Sequence, residues 1–343
     1  MKNKLKFIKN VVFPSLFTST GFLSSLYYLL FSSTFRREHQ AVLVGKVNHL
    51  KELNKNKASI FTLIRNTHRI EKGLLMRPRR EIFALNFISE TIDVFEKVWE
   101  KDKMQTNNQF KWFHDVLQSY FELAGKHPII DEQAKKFYKV IHQESIKNNS
   151  GKESIPYFRE DSKKPNISYE DFYKLTKYRR SVRWFLNKKV PHELVDKAIL
   201  AANQSPSACN RQPFEYRIID DPELLKTIVG LPMGVKGYSD GIPMLIVAVG
   251  NLDAYFYEGD RHVIYIDASL ANMTLIFALE TLGLGSCAIN WPDVEHLEQK
   301  MAKFLNLKKH QRAIMCLAVG YPDPEGKVAY SEKKSLDYIR KYN

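Results

Sequence analysis

The chain has 343 residues, of which 44% are hydrophobic and 12% aromatic, so it can bury a core and is not disordered as a whole. At roughly 100–200 residues per domain, this length predicts two domains. The 52 Lys and Arg outnumber the 38 Asp and Glu, and the formal charge of +14 suggests a nucleic-acid or membrane partner. Residues 1–165 hold 29 of the basic and 17 of the acidic side chains, so the excess lies almost wholly in the first half.

The three cysteines, Cys209, Cys287 and Cys316, all lie in the second half of the chain. Their number is odd, and their spacing matches neither a CxxC motif nor a set of metal ligands. We therefore expect no disulfide framework and no metal site. A reducing, cytoplasmic compartment fits this usage best.

Residues 1–37 form a hydrophobic and basic segment. Residues 11–35 carry no charged side chain, and at 1.5 Å per residue they could cross a hydrocarbon core of about 30 Å. Pro14 and Gly21 interrupt the segment, and three alternatives remain: a transmembrane anchor, an interfacial helix, or a helix buried in the protein. A cleaved signal peptide fits less well, because no small-x-small cleavage site follows. We favour membrane association. The flanking basic residues are Lys2, Lys4, Lys6, Lys9, Arg36 and Arg37.

Residues 38–147 have the apolar spacing of helices, whereas strand signals are poor. The predicted helices cover residues 59–73, 81–100, 110–123 and 129–141. A polar linker at 148–167 separates this region from the second domain, residues 168–343.

Two local features of the helical region could carry chemistry. His68 and Glu71 lie at i,i+3 on one helix face, where a surface ion pair is the favoured interpretation over half of a metal site. A dense run of basic residues could bind phosphate or an acidic surface at a helix start, or could simply be a solvated face. These residues are Arg65, Arg69, Lys72, Arg77, Arg79 and Arg80.

The second domain opens with a capping box, Ser168 to Asp171, which predicts a helix running to about Tyr178. This helix leads into Arg-Arg-Ser-Val-Arg at 179–183. Arginine presents forked donors that suit phosphate, and the hydroxyl adds one more donor, so the run is a candidate anion site.

A second predicted helix, from Pro191 to Asn203, ends at Ser-Pro-Ser-Ala-Cys-Asn-Arg-Gln-Pro, residues 205–213. Small residues allow this backbone to lie against a flat ring, and amide side chains suit the mixed edge of a heteroaromatic base. An ordinary polar turn before the strand predicted at 215–219 is the alternative.

The remaining elements are two strands, one long helix and two glycine-containing turns. Strands are predicted at 243–249 and 313–319, and an apolar helix at 267–282 has a face wide enough to pack on both sides. Gly-Leu-Gly-Ser-Cys at 283–287 brings the backbone close to a neighbour. Gly-Tyr-Pro at 320–322 ends the last strand, and Lys333 and Lys334 follow.

Four blocks in this order resemble the FMN-dependent nitroreductase family: Arg-Arg-Ser-Val-Arg-x-Phe (179–185), Pro-Ser-Ala-x-Asn-Arg-Gln-Pro (206–213), Gly-Leu-Gly-Ser-Cys (283–287) and Gly-Tyr-Pro (320–322). The resemblance covers about half of the chain, residues 168–343, and does not extend to residues 1–165.

The resemblance implies which residues bind FMN. The first block would hold the phosphate and ribityl chain, the second would lie along the isoalloxazine ring, and the third would bring backbone near the flavin. A late lysine, Lys333 or Lys334, would complete phosphate binding. The implied cofactor-binding residues are Arg179, Arg180, Ser181, Arg183, Pro206, Ser207, Ala208, Asn210, Gln212, Gly285, Ser286, Lys333 and Lys334.

The family resemblance also implies an α+β fold, with a mainly antiparallel sheet flanked by helices, here preceded by an all-helical N-terminal region. It implies a homodimer with FMN at the subunit interface and residues 267–282 at its centre. NAD(P)H would reduce the flavin, and an unknown organic acceptor would then take the electrons. Because the flavin carries the chemistry, no catalytic side chain is expected.

Two other functions compete with this oxidoreductase. The first is a non-catalytic flavin-fold module whose basic N-terminal half binds an anionic membrane or partner. The second is nucleic-acid binding, which rests on charge alone and is disfavoured because no zinc-finger or helix-turn-helix pattern is present.

Overall fold

The computed structural model describes residues 2–54, 59–99, 107–142 and 153–343. Within these residues the chain is helical up to residue 142, and the strands lie between residues 214 and 320. This arrangement confirms the predicted α+β fold with an all-helical N-terminal region.

Residues 2–31 form a hairpin of two short helical arms. The first arm comprises α1 (Lys2–Phe7), a π-helical turn (Ile8–Val12) and α2 (Phe13–Ser15), and the second is α3 (Gly21–Phe31). The chain reverses between them, where Thr20 caps α3 by accepting a hydrogen bond from the Leu23 N–H at 3.2 Å. Residues 11–35 are therefore not one continuous helix. In the described part of the chain, the one helical stretch long and apolar enough to span a membrane is residues 258–281, of which 44% is buried within the protein.

Five longer helices follow the hairpin: α4 (Arg36–Asn54), α5 (Ile60–Leu74), α6 (Ile88–Val98), α7 (Asn108–Leu123) and α8 (Pro128–His142). The last four share a core in which Leu63, Ile92, Phe113 and Phe137 are fully buried. Their amphipathic spacing explains why the sequence predicted α5, α7 and α8 nearly to the residue.

The helix predicted at 81–100 is wrong at its start, because α6 begins only at Ile88. Before it, Ala84 has a positive φ of 64°, which a helix does not allow. The Glu81 carbonyl accepts a hydrogen bond from the Gly125 N–H at 2.8 Å, so this segment pairs with the end of α7 instead. Residue 100 lies outside the described residues.

The predicted linker is described only from residue 153. There it is irregular, apart from a short 3-10 turn (Arg159–Asp161). Helix α9 (Tyr169–Tyr178) then begins at the predicted cap, where Ser168 Oγ accepts a hydrogen bond from the Asp171 N–H at 3.0 Å. The later helices are α10 (His192–Ala202), α11 (Pro222–Ile228), α12 (Val263–Thr281), α13 (Glu295–Leu305) and α14 (Leu336–Ile339).

Four antiparallel strands form one sheet in the spatial order β1–β2–β4–β3. They are β1 (Phe214–Ile219), β2 (Met244–Asn251), β3 (Gly285–Asn290) and β4 (Gln311–Gly320). Strand β2 is central, and its side chains alternate between two cores. Leu245 and Val247 face a core that includes α11 and α13, whereas Met244 and Ile246 face α10 and α12.

The N-terminal helices pack directly on the sheet domain. Ala41 of α4 is fully buried, and a Cβ added to Gly45 would lie 2.7 Å from the backbone of Leu252. Arg37 forms a two-point ion pair with Glu295 of α13, at 2.6 and 2.8 Å. Helix α4 therefore joins the hairpin rigidly to the second domain.

Candidate functional site

A cavity of about 110 Å³ lies beside the end of α9 and is lined by basic and hydroxyl side chains. Its lining residues are Arg179, Arg180, Ser181, Arg183, Ala329, Ser331 and Lys333. Guanidinium, ammonium and hydroxyl groups all donate hydrogen bonds, so this donor set fits a phosphate group. We call it the cationic cradle. Lys333 lines the cradle and Lys334 does not, so the structure distinguishes the two lysines between which the sequence did not choose.

The third block lies against the first because the backbones pair. The Val182 N–H donates to the Ser286 carbonyl at 3.0 Å, and Ser181 and Ser286 form a parallel bridge. A Cβ at Gly285 would lie 2.8 Å from Val182 Cγ2, so only glycine allows this approach. The structure thus brings Gly285 and Ser286 to the edge of the cradle.

The second block is a strained loop at residues 205–213. Cys209, Asn210 and Gln212 all have positive φ, at 54°, 56° and 49°. Such residues cost free energy and persist only where surrounding contacts impose them, often at functional sites. The Gln212 N–H donates to Ser207 Oγ at 3.1 Å, and Gln212 Nε2 donates to Asn210 Oδ1 at 3.1 Å. Three of the predicted ring contacts therefore also hold the loop together.

Asp267 anchors this loop to α12, a role that sequence reasoning missed. Its carboxylate accepts a hydrogen bond from the Ala208 N–H at 2.9 Å, and the residue is only 3% exposed. Burial raises the pKa of Asp267, while the Ala208 N–H and the nearby Arg211 oppose that rise. A lone carboxylate in a long apolar helix was the signal that could have found it.

The loop and the cradle lie at opposite ends of α12 within one protomer. Asp267, near the start of α12, holds the loop, whereas Glu280, near its end, interacts electrostatically with Arg179 of the cradle. These 13 positions correspond to about 20 Å along a helix axis. The structure therefore joins the first and third blocks near the end of α12, whereas the second block contacts α12 at Asp267 and, through Ser205 Oγ, at Thr274.

Helix α5 of the N-terminal region packs against the Ala208–Asn210 turn of this loop. On α5, Arg65 lies 5.5 Å from the ring centre of Phe256 and 3.4 Å from Glu90. Burial lowers the pKa of Arg65, and the neighbouring Arg211 lowers it further. The N-terminal region thus forms a wall over the loop.

The other basic residues singled out in the sequence do not converge on one site. Arg79 donates to the Leu123 carbonyl at 2.8 Å, and Arg69 lies 3.7 Å from the ring centre of Phe87. Because α6 starts at Ile88, the run at 77–80 does not sit at a helix N-terminus. The expected placement of this run at a helix start is therefore wrong.

His68 and Glu71 approach each other as expected, with Nδ1 and Oε2 3.4 Å apart. Glu71 also accepts a hydrogen bond from Trp112 Nε1 at 3.3 Å, so this carboxylate joins α5 to α7. The first contact lies within α5, and the second connects α5 to α7 in the N-terminal core.

Comparison with known proteins gives consistent matches in the second domain. Residues 176–234 and 238–321 match the model of the nitroreductase family. Iodotyrosine deiodinase 1 of Homo sapiens is 27% identical over 198 residues, which are 50% of this chain and 68% of that protein. A putative NADH dehydrogenase/NAD(P)H nitroreductase of Methanothermobacter thermautotrophicus is 25% identical over 163 residues, 46% of this chain and 80% of that protein.

A solved structure, the FMN-dependent nitroreductase of Clostridium difficile R20291, is 24% identical with a TM-score of 0.43. The match covers 49% of this chain and 98% of that structure.

The antiparallel sheet, the long apolar helix and the cationic cradle define an α+β domain with a candidate anion site. This domain is similar to the nitroreductase family, whose model matches residues 176–234 and 238–321. The family model matches nothing before residue 176, so the helical N-terminal region is an addition to the family domain.

Proposed function

We propose that the chain is an FMN-dependent oxidoreductase, which takes electrons from NAD(P)H and passes them to an organic acceptor. The observation that carries this proposal is the cationic cradle, where the first and third blocks and Lys333 meet. When bound, FMN supplies the two-electron transfer between donor and acceptor.

The side chains of the cradle have a binding role in this proposal. Arg179, Arg180 and Arg183 neutralise the phosphate, Ser181 donates a further hydrogen bond, and Lys333 closes the cavity. At the other half of the site, the fixed loop at 206–212 presents backbone and amide groups to the flavin ring. The chain's own groups thus bind and orient the cofactor.

The separation of loop and cradle supports a homodimer with two shared sites. Helix α12 exposes an apolar stripe, in which Ile266 is 56% and Leu270 45% exposed, although the opposite side of the helix is buried. If two copies of α12 cross in antiparallel orientation, the loop of one protomer meets the cradle of the other. The dimer would therefore both cover the stripe and complete each FMN site.

The identity of the electron acceptor is a separate part of this proposal. The names of the relatives point to two chemical classes, iodinated tyrosine and nitro compounds. We propose that the α5 wall beside Cys209 and Asn210 selects between such acceptors, because it closes one side of the loop that faces the ring.

The test is the flavin content and turnover of the purified full-length protein. The wild type should be yellow, and Arg179→Ala with Arg183→Ala should weaken FMN binding by about 100-fold, because two charge-assisted hydrogen bonds are lost. Arg217→Ala is the matched control, since Arg217 is a partly exposed arginine of β1 that pairs with Glu215 at 2.7 Å, outside the cradle.

A colourless protein that gains no flavin when FMN is added contradicts the proposal. Bound FMN without oxidation of NADH or NADPH in the presence of a quinone, a nitroaromatic or iodotyrosine favours the alternative, a non-catalytic flavin-fold module. The α5 wall is the observation that favours this alternative, since it covers the loop that substrates would have to reach.

A further inference from the structure

The hairpin at residues 2–35 exposes an unusual amount of apolar surface. Its arms present large aliphatic and aromatic side chains to solvent on both sides of the turn, with Leu16 67% and Phe22 77% exposed near the tip. Soluble monomers rarely expose contiguous apolar patches of this kind. The exposed members are Leu5, Phe7, Ile8, Val11, Val12, Leu16, Phe22, Tyr28, Leu29, Leu30, Phe31 and Phe35.

The hairpin is nevertheless held together by its own contacts. Phe13 and Phe17 of the first half stack at 5.1 to 6.1 Å against Tyr27 and Phe31 of α3. Four aromatic rings thus join the two arms, and of these Phe31, which is 54% exposed, also belongs to the exposed set.

Three hydroxyl groups of the hairpin donate hydrogen bonds to its own backbone carbonyls. Ser15 Oγ donates to the Val12 carbonyl at 2.7 Å, Thr18 Oγ1 to the Ser15 carbonyl at 2.8 Å, and Ser24 Oγ to the Phe17 carbonyl at 2.9 Å. Hydroxyls that bond to nearby carbonyls in this way remove the cost of placing them in an apolar medium.

Charge complementarity identifies the partner. Residues 1–37 contain no Asp or Glu, and their basic residues stand at positions 2–9 of the first arm and at positions 36–37 after the second, with none at 10–35. Lys4, Lys6 and Lys9 are exposed along the first arm, and Arg36 is exposed where the second arm ends. An apolar tip with a cationic base matches the interface of a bilayer that contains anionic lipids.

Length determines how deep the hairpin can reach. The first arm, residues 2–15, extends about 21 Å, and the 11 residues of α3 extend about 17 Å. Both are shorter than the hydrocarbon core of about 30 Å. One leaflet together with its headgroup region is about 20–22 Å thick, so the hairpin fits within it and does not cross the bilayer.

We propose that residues 2–35 are a monotopic membrane element, which inserts its tip into one leaflet of an anionic membrane and leaves both of its ends on the same side. The proposal is independent of FMN. Arg179→Ala with Arg183→Ala leaves vesicle binding unchanged, and hairpin variants leave the flavin content unchanged.

The experiment is sedimentation of the full-length protein with vesicles of phosphatidylcholine and phosphatidylglycerol in a three-to-one ratio. Lys4→Glu, Lys6→Glu and Lys9→Glu together should weaken binding at least tenfold, at about 1 kcal/mol for each surface cation. Leu16→Ser with Phe22→Ser should also weaken it at least tenfold, through lost apolar burial. Leu123→Ser, at a leucine of α7 that is 49% exposed, is the matched control and should bind like the wild type.

Depth is measured with Phe22→Trp and brominated lipids, after subtraction of the native tryptophan signal. Quenching of the introduced tryptophan by bromines on the acyl chains supports insertion of the tip, whereas no quenching at any bromine depth leaves the tip in water and overturns the proposal. Absence of vesicle binding also overturns it. The proposal is also overturned if the Leu16→Ser, Phe22→Ser variant binds vesicles like the wild type but has a lower mass in solution. In that case the hairpin binds a second copy of the chain.

Discussion

Asp267 shows how one buried group can control a binding loop from outside it. The carboxylate holds the Ala208 N–H at 2.9 Å, and the loop that it anchors carries three residues with positive φ. Arg211 reinforces this anchor, since its guanidinium lies 4.7 Å from the ring centre of Tyr255, which is itself buried. Asp267 is therefore a positioning residue for the proposed flavin site.

Two substitutions of Asp267 distinguish the contribution of its hydrogen bond from the contribution of its charge. Asp267→Ala should weaken FMN binding about tenfold or more, because the Ala208 N–H loses its acceptor. Asp267→Asn keeps an acceptor oxygen and should bind FMN nearly as the wild type does. Flavin titration checks both, and equal binding by all three proteins contradicts the positioning role.

The stability of Asp267→Asn should depend on pH less strongly than the stability of the wild type. Burial raises the pKa of Asp267, so this group favours folding at low pH and costs stability once the pH exceeds its folded pKa. Urea unfolding of Asp267→Asn should therefore show a smaller loss of stability than the wild type as the pH rises through that value.

At the scale of residues, the sequence identified the groups of the cradle and the loop but not what holds them. Arg179 and Ser181 could be predicted because their chemistry is local and visible in a short motif, whereas Lys333 was left open against Lys334 because no motif surrounds it. Asp267 could not, because its partner Ala208 is 59 positions away in the chain. Long-range partners of this kind become visible only when the helix and the loop are packed together.

Among the elements, α4 is the connection between the two halves of the molecule. Gly45 allows this helix to lie directly on the Leu252 backbone. Around this contact, Ala41, Leu252 and Ala254 share one buried cluster with Tyr255, so the helix packs close to the residues behind the loop. The packing of α4 should therefore influence the proposed site.

Gly45→Ala tests this contact. The new Cβ would lie 2.7 Å from the Leu252 backbone, which cannot turn aside as a side chain can, so the variant should lose about 1–3 kcal/mol of stability. Urea unfolding measures the loss. Gly21→Ala is the control, because nothing lies within 4 Å of its Cβ position, and its stability should stay within about 1 kcal/mol of the wild type. Equal stability of the two variants means that α4 does not pack as described.

Helices with a clear hydrophobic periodicity were predicted well, whereas elements that depend on contacts with distant residues were not. Helices α5, α7 and α8 have clear apolar faces, whereas β3 escaped prediction because Gly285 and Ser286 read as a turn. Strand β3 exists because β4 pairs with it over six residues, from Gly285 to Asn290. Similarly, the start of α6 was misplaced because residues 81–87 pair with the end of α7.

For the whole molecule, the central question is how two distant half-sites act together. Helix α9 extends the apolar face of α12, since Phe172 lies 5.8 Å from Phe277 and remains 49% exposed. This face lies between the loop at one end of α12 and the cradle at the other. A second copy that covers the face would also bring the complementary half-sites together.

Leu270→Glu tests the dimer. A charge placed on this stripe should yield a monomer by light scattering and abolish FMN binding, because each proposed site needs both protomers. Leu224→Glu is the matched control, since Leu224 of α11 is 50% exposed and lies outside the stripe; it should remain a yellow dimer. A Leu270→Glu monomer that binds FMN normally would show that one protomer contains a complete site.

The ion pair between Arg37 and Glu295 restricts how the second domain is oriented relative to the N-terminal hairpin. A covalent linker alone would let the family domain turn freely about the hairpin, but this pair, together with Lys46 and Glu258 at 2.6 Å, fixes it at two points. With the close approach of Gly45 to the Leu252 backbone as a third point, these contacts fix the orientation of the domain on α4, so the domain presents one constant side to any surface that the hairpin occupies. Acceptors that diffuse laterally along that surface would always approach the same side of the domain. The orientation of the domain on the surface would then affect the electron-transfer rate, in addition to the affinity of the site for the acceptor.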